Sequence, residues 1–235
     1  MVLAFKVFEV IEPRDLGILA SKLRDVAIIE EAEIDGRTVE TGIAVRELQL
    51  EEDKLRGVFE ESFVATFRYR DEYFKVPISV ETPFEFYVHG DRVFLILEAK
   101  KQRANRLAGF VGEIVSAKKG SVVEAELSHE TLKAMYESNP EGTKVIFFDN
   151  VRLPGIEKLS LYGEQLANTE LYQKYLQLGT IWYIVYETEE GIVIGVTRNC
   201  VVTVFSRVDP ETALEIIRER IIPKTLPLPG REEEE

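Results

Sequence analysis

The sequence predicts an α+β protein of two similar halves, each an antiparallel sheet packed by a long helix. Three observations lead there. The order strand, helix, several strands, long helix occurs twice; two hairpins superpose at a fixed offset; and apolar residues make up 45% of a 235-residue chain, enough for a sizeable core. The halves are expected at residues 1–120 and 121–222, with a Pro-rich acidic tail at 223–235 that lacks order.

In the first half, Leu3 to Val10 alternates as a strand, and a helix is expected from Pro13 with Leu16, Leu19, Ala20 and Leu23 on one face. From Thr38 to Leu97 the pattern turns strand-like. Phe59, Phe63, Ala65, Phe67 and Tyr69 share one parity while Glu60, Ser62, Thr66, Arg68 and Arg70 hold the other, which predicts one buried and one wet face. Leu55, Phe59 and Phe63 also fit an i, i+4 helix, so Leu50 to Phe63 stays open between the two. A hairpin follows: Phe84 to Val88, a turn at Gly90-Asp91, then Val93 to Leu97. A helix with Leu107, Phe110, Val111, Ile114 and Val115 on one side closes the half and ends at Lys118-Lys119-Gly120.

The second half starts at Ser121. Val122 to Leu127 reads as a strand, Ser128 as the cap of a helix carrying Leu132, Met135 and Tyr136, and Thr143 to Val151 and Lys158 to Tyr162 as strands. A short helix covers Thr169 to Leu178, three strands occupy Thr180 to Ser206, and Asp209-Pro210 opens a last helix through Leu214, Ile217 and Ile221. Phe84 and Ile192 are 108 positions apart, and at that offset Val88 meets Val196, Asp91 meets Asn199, Val93 meets Val201 and Ile96 meets Val204. Strand, turn and strand coincide, which reads as a duplication.

Composition narrows the function classes. One cysteine, Cys200, forms no internal disulfide, and with only His89 and His129 a Cys/His zinc cage is excluded. A metal would need carboxylates, which suits Mg²⁺ or Mn²⁺. The net charge of −13 disfavours a surface that grips nucleic acid everywhere, so phosphate contact must come from a local patch. Acidic runs such as Glu30-Glu31 and Glu51-Glu52-Asp53 read as solvated surface. Abundant charge with scarce Cys and Met matches thermophile composition. No apolar run reaches the roughly 18 residues that span a bilayer, and Met1 to Lys6 lacks the flanks of a signal peptide, so a cytoplasmic location and no membrane contact are expected.

The order of elements, given twice, resembles the tandem halves of the TATA-binding-protein fold and its helix-grip relatives; the resemblance spans nearly the whole chain and is one of topology. Locally, Glu85 followed by a hairpin, then Glu98-Ala99-Lys100 and a helix, resembles the core of the PD-(D/E)xK nucleases. That resemblance implies two carboxylates, Glu85 and Glu98, on Mg²⁺ and a lysine, Lys100, assisting the attacking water. A turn centred at Gly90-Asp91 places Glu98 opposite Pro83, so Glu85, Glu98 and Lys100 are expected on one face. At the repeat offset these three fall on Val193, Ser206 and Val208, which carry none of that chemistry.

The densest positive cluster lies at the same junction: Lys100, Lys101, Arg103 and Arg106, with Lys118 and Lys119 beyond the helix. It is the candidate nucleic-acid contact, with ordinary surface pairing as its plain reading. The second-half aromatics Phe147, Phe148, Tyr162, Tyr172, Tyr175, Trp182 and Tyr183 read as core before base-stacking platform. Gly109-x-x-Gly112 reads as a helix surface that packs closely. The function expected is a non-catalytic binding or adaptor protein, able to form a homodimer and needing no cofactor. It would be attached to a nucleic-acid or ribonucleoprotein machine through the Lys100 to Lys119 helix or an apolar sheet face. The alternatives are a Mg-dependent nuclease at Glu85, Glu98 and Lys100, and a small-ligand pocket between sheet and helix.

Overall fold

A computed structural model describes residues 2–116 and 120–228. The fold is α+β, with twelve strands and five α-helices among the described residues. It divides into two compact units: Glu9–Val123, here the first unit, and residues 1–8 with 124 onward, the second. The opening strand β1 (Leu3–Val10), expected in the first half, thus belongs through Phe8 to the second unit.

In the first unit, α1 (Leu16–Leu23) begins two residues after Arg14 rather than at Pro13. The Asp15 carboxylate accepts from the Ile18 amide at 2.8 Å and supplies the cap. Then come β2 (Ala27–Ile34), β3 (Arg37–Leu50), β4 (Lys54–Tyr69), β5 (Glu72–His89), β6 (Arg92–Leu97) and α2 (Lys101–Val115). The strands lie in the order β2-β3-β4-β5-β6, each antiparallel to the next. Leu50 to Phe63 is the end of β3, a turn at residues 51–53 and the start of β4, not helix: Leu55 pairs with Leu50 and Phe86, Phe59 with Val45 and Thr82. Phe59 is fully buried, stacked on Phe84 at 4.4 Å between ring centroids, with the edge of Phe110 from α2 at 6.2 Å. With Leu107 and Val111 these residues form the core beneath α2.

The sheet then forks. β3 pairs with β4 only as far as Gly42↔Ser62, whereas β2–β3 continues to Ile34↔Arg37 and β4–β5 to Tyr69↔Glu72. Two two-stranded arms therefore leave the same end of the sheet. Gly42, at the branch, has φ +129°, and a Cβ there would stand 1.9 Å from the Ile28 carbonyl oxygen. The β2–β3 turn, Asp35-Gly36, has positive φ at both residues, as a two-residue hairpin of this hand requires.

β7 (Val122–Glu124) has its first two residues in the first unit, and the second unit goes on with α3 (His129–Glu137), β8 (Thr143–Asp149), β9 (Leu159–Tyr162), α4 (Glu170–Leu176), β10 (Thr180–Glu187), β11 (Val193–Thr197), β12 (Val201–Val204) and α5 (Pro210–Ile216). Its strand order is β1-β12-β11-β10-β8-β9. Side-chain oxygens of Ser128, Thr169 and Asp209 cap the three helices by accepting the amides of Thr131, Tyr172 and Thr212. The expected long last helix is short, passing into a π-helical turn at Ile217–Ile221. Lys6 is fully buried, and its ammonium reaches the Asn199 carbonyl at 2.8 Å and Glu124 at 2.9 Å. The chain after Ile222 was expected to lack order, yet Thr225 is buried and the Leu226 amide donates to the Glu126 carbonyl at 2.8 Å; residues 229–235 of that tail lie outside the described residues.

The two hairpins of the proposed repeat differ in register. Phe84 pairs with Leu97 across a two-residue turn, while Ile194 pairs with Val204 across three residues, Arg198 to Cys200. Cys200, at φ +51°, takes the left-handed position in the longer turn, so the offset of 108 slips by one residue there.

Candidate functional site

The hairpin carrying Glu85 and Glu98 has the register expected of its turn: the Glu98 amide donates to the Pro83 carbonyl at 3.0 Å and Glu85 pairs with Ile96. The surroundings of the three residues differ. Glu85 is buried, and its carboxylate accepts from the Arg56 Nε at 2.7 Å across the β4–β5 ladder. Glu98 is half-buried at the end of β6, and desolvation holds its carboxyl above the ordinary range. Lys100 is exposed at the cap position of α2. The geometry joins Glu85 to an arginine; the site residue that a sequence reading passed over is Arg56, its cross-strand neighbour.

The basic cluster is likewise divided. Arg103 donates to the Val80 carbonyl at 2.9 Å and forms an ion pair with one oxygen of the Glu61 carboxylate at 2.5 Å, and Arg106 donates to the other oxygen of Glu61. Glu61, itself buried, thus fastens the first turns of α2 to β4. Lys100 and Lys101 are exposed with no ion pair among the described residues, and Lys118 and Lys119 lie outside those residues. Gly112 of the glycine pair meets Ser121 and Val122, while Gly109 faces open space.

The unexpected surface is the arm formed by the outer halves of β4 and β5. Residues of one parity pair Phe63 with Ile78, Ala65 with Val76, Phe67 with Phe74 and Tyr69 with Glu72. This is the face that α2 covers at Phe59 and Glu61. Past that point the apolar row continues uncovered among the described residues: Phe63 is 46%, Phe67 51%, Tyr69 63% and Phe74 45% exposed. The parity expected to be buried is therefore buried only beneath α2. At the root of the arm lies a shallow pocket lined by Ile43, Phe63, Arg106 and Phe110. On the opposite face stand Thr66, Arg68, Tyr73 and Lys75. The arguments for a contact site are size and continuity, since monomeric proteins rarely expose a contiguous apolar patch this large.

The β2–β3 arm repeats the design with opposite charge. Ile28 pairs with Ile43 and Ala32 with Val39 on the face that continues from Phe59 and Glu61, while Glu31, Glu33 and Glu40 occupy the other. β3 falls within the stretch expected to be strand-like from Thr38, but β2 and the turn escaped the sequence reading, although Asp35-Gly36 marks the turn.

In the second unit Phe148, Tyr136 and Tyr172 are buried core; burial raises both phenols well above their ordinary range, and the Tyr172 hydroxyl donating to Glu137 at 2.9 Å raises that one further. Phe147, Trp182 and Tyr183 form a half-buried cluster with Tyr162 at its exposed rim. His129 is structural: its Nδ1 accepts the Ile181 amide at 2.8 Å.

No family model matches the chain, and no curated protein matches it significantly. Among the described residues no helix is long and apolar enough to cross a membrane.

Proposed function

We propose that this is a non-catalytic binding or adaptor protein that seats a protein partner on the apolar face of the β4–β5 arm. The observation that carries the reading is the row Phe63, Phe67, Tyr69 and Phe74, which leaves the core at the end of α2 and stays in solvent. Aromatic side chains in such a row act as anchors, each contributing a large contact area with only two torsions to immobilise.

The expected attachment to a nucleic-acid or ribonucleoprotein machine is then made through a protein surface of that machine rather than its phosphates. Two observations favour this choice: Glu61 already engages Arg103 and Arg106, and the chain carries a net charge of −13. Among the described residues, Lys100 and Lys101 remain as the cations of that cluster open to a polyanion.

The test is purification of the native protein from its own cells, half the sample treated with nuclease, beside the double variant Phe67→Ser, Phe74→Ser. A partner that survives nuclease and disappears with the double variant is expected. A partner released by nuclease, retained by the double variant and lost with Lys100→Glu, Lys101→Glu would overturn the reading.

A further inference from the structure

We infer that the β4–β5 arm is completed by a strand from the partner: an extended peptide segment, apolar at every second residue, that enters the fork and pairs antiparallel with β4 between Phe63 and Tyr69. The inference rests on the docking reading above and names the form in which the partner arrives.

Backbone alternation selects the occupant. In an antiparallel ladder every second residue turns its amide and carbonyl towards one neighbouring strand, and the residues between turn theirs to the other side. The Glu98 amide reaches the Pro83 carbonyl, so Pro83 and the other odd residues of β5 point away from β4. The β4–β5 register runs unbroken from Lys54↔Tyr87 to Tyr69↔Glu72, with Pro83 opposite Val58, and the even residues of β4 therefore point away from β5. Up to Ser62 they meet β3. Beyond it Val64, Thr66 and Arg68 have no strand on that side among the described residues. Their amides and carbonyls open into the fork as a row of donors and acceptors, which an extended chain satisfies.

The outward edges of the two arms are guarded, and this one is open. On the far side of the β4–β5 arm Pro77 holds an outward position of β5 and supplies no donor. β2, outermost in the other arm, carries Glu30, Glu31 and Glu33, a charge density that discourages a further strand. From Phe63 to Tyr69, β4 holds no proline, glycine or acidic residue.

Side chains specify the pattern. A strand lying in the plane of the sheet alternates between its two faces. On one face it extends the row of Phe63, Ala65 and Phe67, where Ala65 is small between two rings, and its residue nearest the root meets the pocket of Ile43, Phe63, Arg106 and Phe110. On the other face it lies beside Thr66 and Arg68, which suits polar residues. The apolar row and the polar face thus act on one occupant. A two-stranded ribbon is marginal in water, and a third strand sharing its apolar face stabilises it.

The probe is a synthetic peptide of alternating valine and threonine with a lysine at each end, titrated into the isotope-labelled full chain and followed by calorimetry and amide exchange. Protection is expected at Val64, Thr66 and Arg68, and none at Tyr73 and Lys75 on the outer edge of β5. Two N-methylated peptides with the same side chains separate strand pairing from apolar contact. With the valines on the face of Phe63 and Phe67, it is the threonine amides that face β4. Methylation of the threonines should weaken binding about tenfold or more, while methylation of the valines leaves it near the parent value. In the protein, Thr66→Pro removes a fork-facing donor and spares the ladder to β5; checked for folding by circular dichroism, it should bind the parent peptide at least about fivefold more weakly, and Thr66→Val as the wild type does. A parent peptide that does not bind, equal losses with the two methylated peptides, or protection along β5 instead of β4 would overturn the inference. So would protection of the fork amides that arises in the chain alone as its concentration is raised, which gives the fork to a second copy. A native partner lost with Phe67→Ser, Phe74→Ser but kept by a folded Thr66→Pro would remove the added strand and leave the docking surface standing.

Discussion

Replacing Glu61 by alanine should destabilise the first unit by about 2–4 kcal/mol. The Glu61 side chain is 7% exposed, accepts a hydrogen bond from Arg106 and is ion-paired with Arg103. A hydrogen bond to a charged group contributes about 1.5–3 kcal/mol, but the share of Arg106 is small because its side chain is 63% exposed and well solvated. The loss is therefore dominated by Arg103, 25% exposed, which would keep only its bond to the Val80 carbonyl. Arg103→Ala should accordingly cost about 1–2 kcal/mol more than Arg106→Ala. Urea unfolding followed by far-ultraviolet circular dichroism measures these differences; fluorescence of Trp182, the single tryptophan, reports on the second unit instead. A Glu61→Ala loss below about 0.5 kcal/mol, or equal costs at the two arginines, would refute the assignment of Glu61 as the fastening of α2.

Three further outcomes follow from the same geometry. Phe59→Ala should cost about 3–5 kcal/mol in urea unfolding, because it empties the stack between Phe84 and Phe110. Gly42→Val should cost about 2 kcal/mol or more, since the branch holds a positive φ with the Ile28 carbonyl where a Cβ would be; Gly36→Ala, with nothing near its Cβ position and only its positive φ against it, should cost less. Glu98 is held above its ordinary value of 4.5 by desolvation, so the folded chain binds its proton more tightly than the unfolded one. That contribution is fully present below 4.5 and is lost as pH rises through the folded-state value. Glu98→Gln should remove this slope from a plot of stability against pH, and an unchanged slope would show that the carboxyl is not desolvated.

Local chemistry was legible in the sequence wherever one residue decides it. Gly90-Asp91 set the hairpin register, and Ser128 and Asp209 marked helix starts that their side chains cap. The parity of Phe59 to Tyr69 was legible too, but a period of two shows which residues share a face and not what covers it. Whether Phe67 is core or surface depends on where α2 lies, a tertiary fact. Charge misled in the same way. Arg103 and Arg106 stand among lysines in the sequence, while their partner Glu61 comes from a distant strand. The first strand of the acidic hairpin, β2, was hidden because Glu30, Glu31 and Glu33 suppress the apolar signal on which strand recognition rests, and only the Asp35-Gly36 turn announced it. Apolar matches at one offset could not reveal a turn one residue longer at Cys200.

The central claim is that the face of Phe63, Phe67, Tyr69 and Phe74 is covered when the protein works. Hydrogen exchange read by mass spectrometry, on the chain diluted alone and on the native particle taken from its own cells, tests it most directly. Protection gained over residues 63–78, with little change in the already buried strand β6, is the result the account predicts. Protection confined to the second unit, with the arm exchanging as fast in the particle as alone, would contradict it.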